Sequence, residues 1–278
     1  MKTWFITGIS RGLGRALAKA ALADGDTVIG TVRSGAPDLQ AGAGTLHVLT
    51  LDLTDGAAAE AAVERAFALA GRVDVIVNNA GYGLLGAVEK AGDADVARLF
   101  AVDVFAPFRI IRAALPHLRA QGSGHIVNIT SIAGRAPGPG STLYGAAKHA
   151  LEGLSVGLAQ EVAPLGIKVT AVAPGAFRTD FLSTHSIRKS EAEDSAYAAS
   201  VGRSSTAFDS MAGKQLGDPD RAARAILAAV RSDNPPLHLL LGSDALQRAQ
   251  TKLDALIEEM HRWEEVTRST DFPAAESA

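Results

Sequence analysis

KTWFITGISRGLGRALAKAALAD, residues 2–24, changes its pattern midway. Residues 2–7 form a short apolar run, which predicts a strand. Residues 12–24 repeat Ala and Leu at helical spacing, which predicts a helix. The turn between them holds Gly8, Gly12 and Gly14. Gly8 permits a tight turn, Gly12 lets a phosphate approach the backbone, and Gly14 lets helix and strand pack closely. Free N–H groups at the helix start attract a pyrophosphate, so Ser10, Arg11 and Leu13 join the glycines as candidate cofactor-binding residues. The spacing is Gly-x-x-x-Gly-x-Gly rather than Gly-x-Gly-x-x-Gly. Taken alone, the loop fits a structural turn or a methyltransferase as well as a dinucleotide site.

The same alternation continues along the chain. Residues 27–32, 46–51, 73–78, 124–130, 167–172 and 237–241 are further strand-like runs, several of them continuously apolar. Segments 57–70, 95–120, 142–163 and 219–231 have helical spacing. Strands that alternate with helices and show no polar face predict an α/β fold: a Rossmann-like, doubly wound parallel sheet of about seven strands covered on both faces. The alternation breaks at residues 181–217, a Ser-rich polar stretch without a clean period. Leu246, Leu253, Leu256 and Trp263 predict an amphipathic C-terminal helix over 243–266. No linker or repeat divides the 278 residues, so a single domain is expected.

Composition narrows the possible functions. With 27 Lys+Arg against 30 Asp+Glu, no broad basic field exists to hold nucleic acid or an anionic membrane. Cysteine is absent, which removes disulfides, thiolate metal sites and a catalytic thiol. No apolar run reaches the roughly 18 residues of a spanning helix. The glycine loop begins too early to leave room for a signal peptide, so a cytoplasmic location is expected. His149 and His185 lack partners at ligand spacing, so no metal site is expected.

An NAD site usually carries Asp or Glu at the end of the second strand, bound to the ribose diol. Here that stretch reads GTVRSG, with Val32 at the acid's position and Arg33 beside it. Together with Arg11, two cations and no carboxylate would face a 2′-phosphate. NADP(H) is therefore expected over NAD(H).

Tyr144 and Lys148 lie four positions apart in STLYGAAKHA, residues 141–150, and so share one helix face. A free tyrosine titrates near 10, and a cation within about 6 Å lowers that value. The pair is either two ordinary surface residues or one in which the lysine changes the acidity of the tyrosine.

Four pieces now stand in order: TGISRGLG (7–14), NNAG (78–81), NITS with YGAAK (128–131 and 144–148), and PGAFRT (174–179). Ser131 and Tyr144 are 13 residues apart. In these pieces the chain resembles the short-chain dehydrogenase/reductase family over residues 3 to 180. The resemblance implies an oxidoreductase that moves a hydride between nicotinamide and a carbonyl or secondary alcohol. It implies that Tyr144 donates the proton to the carbonyl oxygen with Lys148 tuning it, that Ser131 polarises the substrate oxygen, and that Tyr144 and Lys148 also contact the cofactor, Lys148 at the nicotinamide ribose. The family's fourth residue, usually Asn, aligns with Asp103 in FAVDVFAPF, with Val102 beside it on the cofactor side. An aspartate there either preserves a water relay to Lys148 or weakens the lysine's effect on Tyr144. By the same resemblance, Asp52 would accept from the adenine amine and Leu53 would line its pocket. Asn79, Ala80 and Gly81 would face the adenine ribose. Pro174, Gly175, Thr179 and the backbone of Phe177 would hold the carboxamide side.

Residues 181–217 would then be a substrate lid, with Phe181, Tyr197, Phe208 and Met211 offering an apolar lining. Tyr82, Leu84 and Pro137, next to motif residues, join Phe181, Ser131 and Tyr144 as candidates to face the substrate. A non-catalytic dinucleotide sensor is the alternative function; it would have no use for Ser131 and Tyr144. The family forms homodimers or homotetramers through helices corresponding to 95–120 and 142–163, and the C-terminal helix favours the dimer.

Overall fold

A computed structural model describes residues 1–182, 187–189 and 195–272 of the chain. Seven parallel strands form the central sheet: β1 (Thr3–Ile6), β2 (Thr27–Val32), β3 (Thr45–Thr50), β4 (Val75–Asn78), β6 (Gly124–Ile129), β7 (Ile167–Pro174) and β9 (His238–Leu241). Their order is β3-β2-β1-β4-β6-β7-β9. β1 lies between β2 and β4, so the chain reverses its direction of travel across the sheet there. A crevice for a ligand opens at such a point, beyond the carboxyl ends of the strands.

Helices cover both faces, as the alternating runs predict. On one side α1 (Gly12–Ala23) and α7 (Pro219–Arg231) enclose a core containing Trp4, Leu17, Leu22, Val77, Ile226 and Leu227. On the other, α2 (Gly56–Ala70), α4 (Ala106–Gln121) and α5 (Thr142–Val162) enclose Phe5, Ile29, Phe67, Ile110, Leu118 and Ile126. Local chemistry starts and stops these helices. Asp55 accepts from the Ala58 N–H to cap α2, and Gly71 ends that helix at φ 69°. Asp218 accepts from the N–H groups of Asp220 and Arg221, and Pro219 follows at the first turn of α7.

The segment α3 (Asp93–Phe100) runs into α4 through a π turn at Ala101–Phe105. The extra residue in the helical ladder belongs to the turn that carries Asp103, which is fully buried.

Within 181–217 the chain has more order than its sequence pattern suggests. β8 (Ile187–Lys189) pairs in parallel with β5 (Gly83–Leu85), setting Gly83 opposite Ile187. α6 (Arg203–Met211) follows. The C-terminal helix is shorter than the expected 243–266: α8 spans Ser243–Arg262, the ladder breaks at Trp263, and α9 (Glu264–Arg268) continues. Among the described residues no helix is long and apolar enough to cross a membrane.

Candidate active site

Ser131 stands just past β6, with extended backbone, and its Oγ accepts the Ala133 N–H at 3.1 Å. Tyr144 lies in the first turn of α5 and Lys148 one turn later. Both are buried, yet both line one cleft of about 480 Å³ together with Ser131. Leu13, Asn79, Gly81, Pro174, Gly175, Phe177 and Thr179 border the same cleft, as do Phe181, Phe208 and Met211 from the lid. Six separated stretches of sequence thus converge at the carboxyl end of the sheet.

A polar network holds α5 in register with the sheet. Asn78 Nδ2 donates to Asn128 Oδ1 at 2.8 Å, and Asn128 Nδ2 donates to Ser155 Oγ at 2.8 Å. Two turns beyond Tyr144, the buried Glu152 accepts from the Thr130 hydroxyl and pairs with Arg135 at 3.1 Å. Asn78, Asn128, Ser155, Thr130 and Glu152 are buried, so losing a partner leaves a desolvated polar atom that costs about 1–3 kcal/mol. The helix carrying the phenol is therefore fixed against β4, β6 and the turn after β6.

Lys148 Nζ donates to the Ile129 carbonyl at 3.1 Å and lies 3.1 Å from Asp103 Oδ2. Asp103 Oδ1 accepts the Tyr82 N–H at 3.1 Å. Nζ sits 5.8 Å from the centroid of the Tyr144 ring. Gly81 makes room for this pair, since a Cβ there would stand 2.9 Å from Asp103 Oδ2 and 3.2 Å from Lys148 Nζ.

Burial pushes the Asp103 carboxyl above its ordinary range, against the pull of Lys148 and the Tyr82 N–H. Desolvation disfavours the Lys148 ammonium, but Asp103 and Tyr144 outweigh it and hold the lysine's pKa above its usual value. Burial also raises Tyr144. Lys148 opposes that rise, Asp103 adds to it, and a hydrogen bond with Ser131 lowers it. This corrects the expectation that Lys148 leaves the phenol more acidic than free tyrosine. The lysine acts in that direction, but desolvation and the Asp103 carboxylate win.

The glycine loop has the shape a phosphate-bearing cofactor needs. Gly8 and Gly12 have φ of 75° and 60°, a region other residues rarely adopt. A Cβ on Gly14 would fall 2.3 Å from both Asn79 Nδ2 and Gly8 O. Asn79 in turn donates to the carbonyls of Thr7 and Gly8 at 2.9 and 3.1 Å, fastening the loop to the end of β4. The Thr7 hydroxyl accepts from the N–H groups of Asn79 and Ala80, both at 3.0 Å. The residues present therefore fit a dinucleotide.

Other expected positions fall as follows. Ser10, Arg11 and Arg33 are exposed at the mouth of the loop and the end of β2. Asp52 is exposed, and its Oδ1 accepts from the Thr54 N–H and hydroxyl at 2.9 and 2.8 Å, which lowers its pKa. Leu53 is buried in the core cluster, and Val102 packs against the same cluster. Thr179 Oγ1 accepts the Phe181 N–H at 3.2 Å.

Several substrate candidates do not border the cleft. Tyr82 lies beneath the Arg188 guanidinium, 6.0 Å from its ring, and burial with Asp103 pushes its phenol up to about 12. Pro137 is exposed, and its neighbour Gly138 lines the cleft in its place. Leu84 is core. The Tyr197 hydroxyl donates to Glu89 at 2.7 Å in a neighbouring cavity. His185 lies outside the described residues, and His149 contacts the Gly134 carbonyl through Nδ1.

Two residues with no motif around them also enter the site. Gln215 is buried, lines the cleft, and neither end of its amide has a hydrogen-bond partner among the described residues. Asp244, at the start of α8, accepts the Ala176 N–H at 2.8 Å and so ties the C-terminal helix to the loop after β7. A Cβ on Gly175 would collide with this carboxylate at 2.2 Å.

The sequence model of the short chain dehydrogenase family matches residues 2–190. An oxidoreductase of Botryotinia fuckeliana, BOA17, is 37% identical over 272 residues, covering 96% of this chain and 98% of that protein. A short-chain dehydrogenase from Streptomyces avermitilis superposes with a TM-score of 0.88 at 43% identity, covering 98% of this chain and 100% of its own. ElxO, solved with NADP bound, superposes with a TM-score of 0.73 at 30% identity over 88% of this chain and 99% of its own. Motifs, sheet order, cleft and relatives agree: the chain belongs to the short-chain dehydrogenases, oxidoreductases that use a nicotinamide cofactor.

Proposed function

We propose that the chain interconverts an apolar ketone and its secondary alcohol with NADP(H), and that Tyr144 exchanges the proton. The observation that carries this reading is the convergence of Ser131, Tyr144 and Lys148 on one cleft with the glycine-loop residue Leu13. The bound nicotinamide supplies or accepts the hydride at the carbonyl carbon. Tyr144 gives its hydroxyl proton to the carbonyl oxygen as the C–H bond forms, and bulk water restores that proton. Ser131 donates a hydrogen bond to the same oxygen, and the Lys148 ammonium stabilises the phenolate left behind. Asn79, Thr179 and the loop of Gly8, Gly12 and Gly14 hold the cofactor. Incubating the protein with NADPH and a panel of ketones, and following the loss of reduced-nicotinamide absorbance, tests the reading. Turnover of apolar ketones is the expected result; no oxidation of NADPH with any ketone contradicts it.

Support for NADP(H) comes from Val32 and Arg33, which end β2 without a carboxylate, and from ElxO, solved with NADP. A charged hydrogen bond contributes about 1.5–3 kcal/mol. Arg33→Asp is therefore expected to lower the NADPH/NADH ratio of kcat/KM by about tenfold to a hundredfold. An unchanged ratio removes Arg33 from cofactor selection.

Phe181, Phe208, Met211 and Ile187 favour an apolar substrate body. The unpaired amide of Gln215 favours a second polar group on that body. Gln215→Leu is expected to raise KM about tenfold for ketones bearing such a group and to leave simple apolar ketones unaffected. Equal effects on both classes would show that Gln215 only shapes the cleft. Assembly as a homo-oligomer is supported by Phe105 and Phe108, which are exposed on the helix flanking the site.

A further inference from the structure

Only Ala245 and Ala249 of α8 are buried, and every residue from 250 to 272 is exposed. The exposed residues are not a random polar set. Leu246, Leu253, Leu256, Met260 and Trp263 are exposed and, with the buried Ala249 between the first two, fall at alternating steps of 3 and 4, a heptad seam. Leu253 is 57% exposed, Met260 62% and Trp263 57%. Trp263 is one of only two tryptophans in the chain, and an uncovered indole on an apolar stripe marks a surface that awaits a partner.

The charges flanking the seam decide what that partner is. Residues 243–268 carry six acids and four bases, the wrong balance for an anionic lipid surface. They are self-complementary in one orientation only. An antiparallel pair centred between Asp254 and Ala255 sets Leu253 against the partner's Leu256 and Leu246 against the partner's Trp263. The same register brings Lys252 beside the partner's Glu259, twice by symmetry. A parallel pair in register instead places Glu259 against the partner's Glu264 and stacks two Trp263 rings on each other.

We propose that α8 is a dimerisation helix that pairs antiparallel with α8 of a second copy of this chain. The interface is isologous and separate from the cleft-flanking face of α4 and α5. The core of the fold does not depend on it, since every residue from 250 to 272 is exposed.

The chain has no cysteine, so introduced thiols report on this contact alone. Lys252→Cys and Glu259→Cys, each carried by a separate copy and co-expressed, are expected to give a covalent dimer under mild oxidation or with a short bis-maleimide. Under mild oxidation neither variant expressed alone is expected to cross-link as strongly, because the offset between its two thiols along the seam, about 8 Å for Lys252→Cys and about 14 Å for Glu259→Cys, exceeds the reach of a disulfide. Adding Leu253→Glu to both copies is expected to abolish the product, while far-UV circular dichroism stays unchanged. Cross-linking by each single variant as strongly as by the mixture, or no product from the mixture, overturns the proposal. Sedimentation with phosphatidylserine vesicles in the absence of the cross-link also overturns it, and assigns the stripe to a lipid surface.

Discussion

Tyr144→Phe is expected to lower kcat for ketone reduction by about 10²- to 10⁴-fold, the range that general acid catalysis contributes. The substitution removes one oxygen and little else. The ring is buried and packs tilted against Phe181, centroid to centroid at 5.8 Å, and phenylalanine keeps both contacts. Lys148 retains Asp103 and the Ile129 carbonyl as partners, so no buried charge is orphaned. The glycine loop and Asn79 are untouched, and NADPH affinity is expected to stay within about twofold, the usual scatter of such contributions. Steady-state rates alongside a fluorescence titration of NADPH separate the two effects. A variant that keeps most of its turnover places the proton donor elsewhere.

Asp103→Asn is expected to move the pH dependence in a defined direction. The carboxylate raises the Tyr144 pKa, and the ammonium it faces lowers it. Asparagine preserves the acceptor for the Tyr82 N–H and nearly the same volume, but removes the negative charge. The Ile129 carbonyl remains to hold the ammonium, so its charge acts on the phenol unopposed. The folded-state pKa of Tyr144 then falls. Reduction requires the phenol protonated, so its alkaline limb moves to lower pH. Alcohol oxidation requires the phenolate, so its acidic limb also moves to lower pH and the rate near neutrality rises. A unit charge at this range in a medium of effective dielectric near 20 shifts such a limb by about one pH unit or more. Superimposable profiles for the variant and the wild-type protein leave Asp103 with a structural role only.

The parts of the site that rest on local spacing were open to reading from the chain. Apolar runs bounded by turn residues located all seven strands of the main sheet. The glycine loop and the separation of Ser131 from Tyr144 located the cleft. What escaped depends on contacts between distant segments. β5 and β8 have three residues each and exist only as each other's partner, so neither carries a period of its own. Tyr82 and Pro137 stand beside motif residues, but neighbours in an extended chain point to opposite sides, and Gly81 and Gly138 reach the cleft instead. Glu152 reads as a solvated residue on a long helix until Arg135 and Thr130 meet it from elsewhere. Asp103 shows the limit most clearly. Its alignment was visible, but a π turn brings its carboxylate to 3.1 Å from Lys148, and that contact sets the sign of the phenol's shift.

The central physical claim is that the Tyr144 hydroxyl keeps its proton well past neutrality until the site's own charges draw it off. The chain has only three tyrosines, so protein labelled with ¹³C at the tyrosine ring gives three resonances to follow against pH. Tyr144→Phe identifies the one that belongs to the site. In the cofactor-free protein that resonance is predicted to titrate above the ordinary tyrosine value of about 10, and to move down in Asp103→Asn. A resonance that titrates below that value, or one that ignores the loss of the Asp103 charge, contradicts the account.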